Sequence, residues 1–223
     1  MRTFLLTLVI LTSISCKSQT SVFSTNSKAV DSNRYKDVKG SPYMFADFAP
    51  ATIYDNKGNE IKDVMVNYNG FDHGVEVLKD DRITIIDEKT YPKVVIKNFS
   101  RKKSANPSKD MVLVPSPQKH IAGAYVQEIH ISDKVKLYRK FRVSKSENET
   151  HTPGKTIVTE RFMGHREFLL DYDGNVKQVK AKLDDVTKII GHEKELKQFC
   201  KKTKNKLKSE QDWNDLLTFY STL

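Results

Sequence analysis

Alternation of apolar and polar residues runs through the middle of this chain and restricts its fold more than any other feature. Between residues 61 and 68, Val64, Val66 and Tyr68 fall on one side of an extended chain and Asp63 falls on the other. The same two-residue period recurs, with many Val and Ile residues, in further segments up to about residue 179. This pattern is typical of half-buried antiparallel strands.

Turn-forming residues separate these segments. Residues 55–59 (DNKGN) and 171–175 (DYDGN) supply the Asp, Asn and Gly that tolerate a positive φ angle, and residues 79–81 (KDD) predict a tight turn. Two polar stretches, residues 100–110 and 144–155, interrupt the pattern and predict exposed loops.

The hydrophobic period changes to a helical one near the C-terminus. Residues 183–190 predict a helix that ends at Gly191, and residues 196–200 begin a second apolar stripe. Ser209 and Asp212 form a capping box that opens a further helix. The sequence therefore predicts an α+β fold: a mainly antiparallel β meander (open sheet, sandwich or partial barrel) followed by two or three short helices.

The N-terminus has the pattern of an export signal. Arg2 precedes an apolar run at residues 4–14, which is too short to span a bilayer, and Cys16 follows. We predict that residues 1–15 form a signal peptide and that Cys16 is lipidated, because a bacterial lipoprotein signal places its modified cysteine there. The alternative is ordinary cleavage after Ser15, which would release a soluble secreted or periplasmic protein.

These features divide the chain into four parts. After the signal peptide, residues 16–39 are predicted to be a flexible tether, residues 40–180 a β-rich domain and residues 181–223 a helical segment packed on it. The expected location is the envelope of a Gram-negative bacterium. An outer-membrane lipoprotein, on either face of that membrane, is the predicted form.

Charge indicates one candidate binding surface. The chain has 38 Lys and Arg against 28 Asp and Glu, a net charge of +10. In a strand over residues 135–143, Lys136, Tyr138, Lys140 and Arg142 share one face. Such a face could bind lipopolysaccharide, phospholipid headgroups or an acidic glycan. The alternative, which the frequency of charged solvent faces favours, is the solvated face of an edge strand that resists aggregation. Nucleic acid is not expected as a partner of an exported protein.

Catalytic and metal-binding motifs are incomplete. His192 and Glu193 begin an H-E-x-x-H motif, but Leu196 stands where the second His is required. His130 is interpreted as a surface residue, and Cys200 as a lone thiol after lipidation of Cys16. No nucleophile elbow and no phosphate-binding loop occurs. The sequence predicts no catalytic residue, no metal site and no cofactor.

A family resemblance supports export. Residues 40–45 (GSPYMF), the strand and turn at residues 54–58 and the Lys-rich tail at residues 196–223 resemble an uncharacterised family of Bacteroidetes-type envelope lipoproteins. The resemblance covers most of residues 40–223. It implies an export signal, a run of strands and a helical tail, and it implies no activity.

Three functional hypotheses follow. The first is a non-catalytic, lipid-anchored interaction or assembly module with an envelope protein as partner. The second is a binder of anionic envelope ligands through Lys136, Tyr138, Lys140 and Arg142. The third is an envelope hydrolase, which would need a cleft with converging titratable groups.

Overall fold

The computed structural model describes residues 28–31, 33–97, 110–118 and 124–223. These residues form an α+β fold of eleven strands followed by three short helices. The strands are β1 Lys28–Val30, β2 Ala49–Tyr54, β3 Glu60–Asn69, β4 Gly74–Lys79, β5 Arg82–Ile86, β6 Lys93–Ile96, β7 Met111–Pro115, β8 Tyr125–Ile131, β9 Val135–Thr152, β10 Lys155–Tyr172 and β11 Asn175–Val179. The helices are α1 Leu183–Ile190, α2 Glu193–Thr203 and α3 Glu210–Ser221.

All eleven strands belong to one open sheet with antiparallel neighbours. Its order is β1-β5-β4-β3-β2-β6-β7-β8-β9-β10-β11, so most strands pair with the strand next to them in the chain. The predicted tight turns are confirmed. Asp80 and Asp81 both have positive φ between β4 and β5, as do Asp173 and Gly174 between β10 and β11. Two-residue turns with positive φ match the twist of the strands that they connect.

One hydrophobic core covers a face of β2–β8. The alternation predicted in β3 is confirmed, because Val64, Val66 and Tyr68 are all buried in this core. The first core consists of Phe45, Ala51, Ile53, Val64, Val66, Tyr68, Val75, Val77, Ile86, Tyr91, Val94, Ile96, Met111, Leu113 and Tyr125. Burial of each large aliphatic side chain contributes about 1.5–3 kcal/mol.

A second core joins β8–β11 to the helices. Trp213, Leu216, Leu217 and Tyr220 of α3 are buried in it, at the helical spacing seen in the sequence. The predicted capping box is confirmed: the Asp212 N–H donates to Ser209 Oγ at 3.1 Å, and the Asp212 carboxylate accepts from the Ser209 N–H. Gly191 ends α1 with a φ of 75°. Local signals in the sequence therefore define the ends of the helices, and burial of apolar side chains holds the helices against the sheet.

The predicted boundary between tether and domain, after residue 39, is wrong, because the folded part already includes residues 28–30. Residues 28–30 form β1, which pairs with β5, and residues 33–39 fold against the sheet. Lys39 bridges to Arg161 of β10. This segment is polar, so its composition suggested a tether, but residues 28–30 and Lys39 pair with strands of the sheet, and turn hydrogen bonds join Asp31 to Arg34, Asn33 to Lys36 and Tyr35 to Val38. Residues 1–27, with the predicted signal peptide and Cys16, lie outside the described part of the chain.

The predicted loop at residues 144–155 is also wrong. These residues extend β9 and β10 into a two-stranded antiparallel hairpin that turns at Gly154, which has a φ of 79°. The stretch lacks an apolar side because both of its faces meet solvent, so hydrophobic alternation could not indicate it. The other predicted loop, residues 100–110, lies outside the described residues apart from Asp110.

A β-bulge changes the expected position of His130. The pairing of β8 with β9 shifts between Glu128 and His130, which turns His130 toward α3. Its Nδ1 lies 3.2 Å from Asn214 Oδ1. His130 is therefore an inter-element contact and not the surface residue that strict alternation predicted.

Candidate functional site

The four predicted anion-binding residues lie along β9, but most of their face is covered. Lys136 is exposed, whereas Tyr138 is 8% exposed and packs with Val126 and Leu169 in a small third cluster. Lys140 is only 4% exposed. The structure therefore separates Lys136 from the other members and replaces the expected solvent-facing row with a packed one.

The two remaining cations share a carboxylate. Glu167 of β10 lies directly opposite Lys140, and its Oε1 is 3.3 Å from Arg142 Nε. Burial lowers the pKa of Lys140, nearby Arg142 lowers it further, and Glu167 opposes both effects. Glu167 therefore offsets one of the two positive charges, and the burial of Tyr138 and Lys140 leaves no continuous exposed row of the four predicted residues.

The turn between β3 and β4 lies beside this row. The Val143 N–H of β9 donates to Gly70 O at 2.8 Å, which joins the turn to the middle of β9. Burial lowers the pKa of His73, and the charges of Lys140 and Arg142 add to that effect. His73 is therefore a neutral imidazole at neutral pH, held beside two cations.

A buried carboxylate organises the opposite end of the same turn. Glu76 of β4 is 0% exposed and accepts hydrogen bonds from Tyr43 Oη at 2.9 Å and Asn69 Nδ2 at 2.8 Å. The Arg34 guanidinium forms an ion pair with it. Arg34 also stacks on the Tyr35 ring, with Cζ 4.5 Å from the ring centroid. We call these five residues the Glu76 cluster.

The Glu76 cluster connects to the turn through Asp72. The Tyr35 hydroxyl donates to Asp72 Oδ2 at 2.5 Å, and Arg34 Nε lies 3.5 Å from the same oxygen. Burial raises the pKa of Tyr43, and the charge of Glu76 adds to the effect. Tyr35 and Tyr43 therefore act as hydrogen-bond donors at neutral pH. The cluster fixes residues 33–44 to the outer face of β3 and β4.

Sequence reasoning missed the Glu76 cluster. Arg34 and Glu76 are 42 residues apart, and Tyr43 and Glu76 are 33 apart. No short motif links them. The one available signal was Glu76 itself, a charged residue between Val75 and Val77 in a strand whose neighbours are apolar.

The arrangement favours structural use of the Glu76 carboxylate. Three donors already use its two oxygens. Tyr35 of the cluster packs edge-on against Phe71 and Phe162. Two pockets lie away from the Glu76 cluster. One is lined by Asp184, Thr187, Lys188, Glu193 and Lys197, and another by Lys134, Tyr172, Asp173, His192, Tyr220 and Leu223. In the part of the chain that the structure describes, no three His, Cys, Asp or Glu side chains are arranged to hold a metal ion.

The hairpin formed by the distal halves of β9 and β10 is a separate candidate surface. We call residues 144–152 and 155–163 the arm. Its strands pair with each other from Ser144 and Met163 to Thr152 and Lys155. Apart from the bridge between Lys39 and Arg161, neither edge pairs with another strand among the described residues.

Exposed apolar side chains are concentrated on the arm. Ile157 is 42% exposed, Val158 is 55% exposed and Met163 is 48% exposed. Thr156 and Thr159 flank the first two, so residues 156–159 are all β-branched. An uncharged, β-branched and exposed edge is the form of strand that most readily accepts another strand.

Cys200 lies at the margin of the second core. It is partly buried, and burial raises the pKa of its thiol, with the charge of Asp212 adding to the effect. A thiol with a raised pKa is a weak nucleophile. This position agrees with the interpretation of Cys200 as a small packing residue.

Comparison with protein-family models, curated proteins and solved structures finds no match to this chain. Among the described residues, no helix has the length and apolar character needed to cross a membrane.

Proposed function

We propose that this protein is an exported, lipid-anchored module of the Gram-negative cell envelope, held at the outer membrane through Cys16, that captures an extended strand of an envelope protein. The function is non-catalytic. The signal-like N-terminus and the family resemblance support export and anchoring. The observation that carries the binding function is the β10 edge of the arm at residues 156–159, which pairs with no further strand among the described residues.

The hydrogen-bonding pattern defines which backbone groups this edge offers. Lys39 N–H donates to Glu160 O at 2.9 Å, and Phe162 N–H donates to Lys39 O at 2.9 Å. Even-numbered residues of this stretch therefore point their backbone groups away from β9. Thr156 and Val158 present N–H and C=O groups outward in the same way, because the direction alternates along a strand.

Strand capture would also stabilise the arm. An isolated two-stranded hairpin is marginally stable in water, and a third strand supplies further hydrogen bonds and covers apolar surface. Main-chain pairing gives such a complex its affinity, and the side chains on alternate faces give it specificity. Ile157 and Val158 point to opposite faces, so each face of the added strand meets one of them.

Proline at the outward position of β10 is expected to abolish capture. Val158→Pro removes one outward N–H while leaving the hydrogen bonds between β9 and β10 intact. The protein recovered with its crosslinked partner from membranes should fall by about tenfold or more, since one central strand-pairing bond and the edge geometry are lost. The measurement is mild crosslinking in membranes followed by affinity recovery of the full chain.

Glu149→Pro is the matched control. Glu149 lies opposite Val158 in the hairpin, and its N–H points to the other edge of the arm. Partner recovery should be unchanged by this variant. Equal recovery by Val158→Pro and the wild-type chain would contradict the proposal. A crosslinked product of twice the mass of the chain would overturn it in favour of pairing with a second copy.

Cys16→Ser is expected to remove the lipid anchor. A thioether to diacylglycerol requires the cysteine thiolate, which serine does not supply. Cells fed an alkyne-labelled fatty acid should label the wild-type protein and leave the variant unlabelled. Cys200→Ser provides the control and should keep the label. An unlabelled wild-type protein would refute anchoring.

A further inference from the structure

Five exposed lysines lie in the last turn of α2 and in the connection between α2 and α3. Lys201, Lys202, Lys204, Lys206 and Lys208 are all exposed, and the stretch of residues 201–208 contains no acidic residue. Among the ion pairs of the described residues, none involves these five side chains. We call them the lysine surface.

The backbone under the lysine surface is firmly held. Leu207, with a φ of 55°, inserts its side chain into the second core and is 3% exposed. Its N–H donates to Asn205 Oδ1 at 3.0 Å, and the Lys208 N–H donates to Asp212 Oδ2 at 2.8 Å. The connection is therefore fixed at both ends and presents its lysines outward without further ordering.

The acidic residues that follow next in the sequence are occupied by other contacts. Asp212 caps α3. Glu210 lies 2.7 Å from Arg139 and accepts from Gln127 at 3.2 Å, toward the sheet. Neither carboxylate is paired with the lysines, so the positive charge of the surface is left for a partner.

The use of lysine instead of arginine indicates which kind of partner the lysine surface binds. All eleven Lys and Arg residues from Lys177 to Lys208 are lysines and none is arginine. Arginine provides the planar fork that recognises a single carboxylate or phosphate with two hydrogen bonds, whereas lysine is a hydrated point charge on a flexible stem. Dispersed point charges on flexible stems suit an extended anionic surface.

We propose that the lysine surface binds the anionic phospholipid headgroups of a bilayer. The inference rests on the proposed export and anchoring, which place the domain beside a membrane, and it names a second contact with that membrane. One acyl anchor combined with a basic patch binds a bilayer far more stably than either contact alone. A protein or glycan polyanion is the alternative partner if the chain does not bind vesicles that contain phosphatidylglycerol.

The test uses the chain from Lys17 onward, which lacks Cys16 and contains every described contact of the fold. Binding to phosphatidylcholine vesicles with and without phosphatidylglycerol is measured by flotation at low salt. One lysine near an anionic surface contributes roughly a fivefold increase in affinity. Replacement of all five lysines by Gln should therefore weaken binding by about 100-fold or more. Salt should weaken wild-type binding steeply.

The control removes the same charge elsewhere. Lys28, Lys36, Lys57, Lys79 and Lys89 are exposed and lie outside the helical layer. Their replacement by Gln changes the net charge equally and should leave binding within about threefold of wild type, because surface charges far from the bilayer are screened. Circular dichroism confirms that both variants keep the fold.

Three results would overturn the proposal: no binding of the wild-type chain to phosphatidylglycerol vesicles at low salt, unchanged binding after loss of the lysine surface, or equal weakening in the control. The experiment contains neither the lipid anchor nor a protein partner. Failure of the Cys16 labelling or of strand capture would therefore leave the vesicle result unchanged, and a negative vesicle result would leave both of those unchanged.

Discussion

Glu76→Ala is expected to lower the free energy of unfolding by about 3–5 kcal/mol, the usual cost of breaking a buried ion pair by removing one partner. The substitution leaves Arg34, Tyr43 and Asn69 as donors without their acceptor, in a site where the Glu76 side chain is 0% exposed and the Arg34 side chain is 17% exposed. Urea unfolding followed by circular dichroism measures the change. A loss below about 1 kcal/mol would show that the cluster does not hold the fold.

A variant of Arg34 distinguishes loss of the ion pair from loss of the packing of the Glu76 side chain. Arg34→Met alone leaves a buried carboxylate with Tyr43 and Asn69 as its donors, so it should also destabilise the protein. The double variant should cost about 1–3 kcal/mol less than the sum of the single variants, because the same interaction is removed in each. Fully additive losses would mean that Arg34 and Glu76 act independently.

A local measurement identifies what the Glu76 cluster holds. Residues 39–44 bond to the sheet through Met44 N–H to Tyr68 O at 2.9 Å and Gly70 N–H to Pro42 O at 2.8 Å. In Glu76→Ala, amide hydrogen exchange should become faster in this segment before it does so in the first core.

Local patterns predicted the elements well, because the signals for strands, turns and caps lie within a few residues of each other. The alternation of Val64, Val66 and Tyr68 reports a face of β3, and Ser209 with Asp212 reports the start of α3. Each depends on backbone geometry that neighbouring residues impose. Such features survive in any tertiary context that buries the same face.

Contacts between distant segments could not be predicted in the same way. Alternation placed Lys136, Tyr138, Lys140 and Arg142 on one face of a strand, but it could not show that Glu167 and other parts of the sheet cover that face. The Glu76 cluster joins Glu76 to Arg34 and Tyr43, which lie 42 and 33 positions away. A single sequence contains no local pattern that links them, so the candidate site had to come from the structure.

The sequence did not predict the arm, although the pairing that forms it is local. Its residues lack a buried face, and hydrophobic alternation detects strands through burial. The ladder between β9 and β10 continues from a part that is anchored in both neighbours, so backbone pairing extends the hairpin into solvent without a core. Residues 156–159 contained the available signal, four β-branched residues directly after the Pro-Gly turn.

Trp213→Ala is expected to destabilise the helical layer by about 3–5 kcal/mol, as for other buried aromatic residues reduced to alanine. Trp213 is 1% exposed, and its ring lies 4.9 Å from that of Phe168 on β10. The indole therefore joins α3 to the sheet at the centre of the second core, and its loss leaves a cavity that rigid neighbours on β10 cannot fill. Urea unfolding followed by circular dichroism measures the loss.

Trp213→Phe is the control that distinguishes the ring from the indole N–H. Within the described structure, the buried Nε1 of Trp213 has no hydrogen-bond partner, so phenylalanine removes no hydrogen bond. It keeps an aromatic contact with Phe168 and should cost less than about 2 kcal/mol. Equal losses for the two variants would contradict a role based on ring packing.

Trp213→Ala also tests whether the two cores unfold as separate cooperative units. The first core is built from β2–β8 and the second from β8–β11 with the helices, so few side chains belong to both. Hydrogen exchange in Trp213→Ala should accelerate in α1–α3 while the amides of β3 and β4 remain protected. Uniform acceleration would show one cooperative unit. Selective acceleration would mean that the lysine surface, which lies on the helical layer, can be perturbed without loss of the sheet that carries the arm.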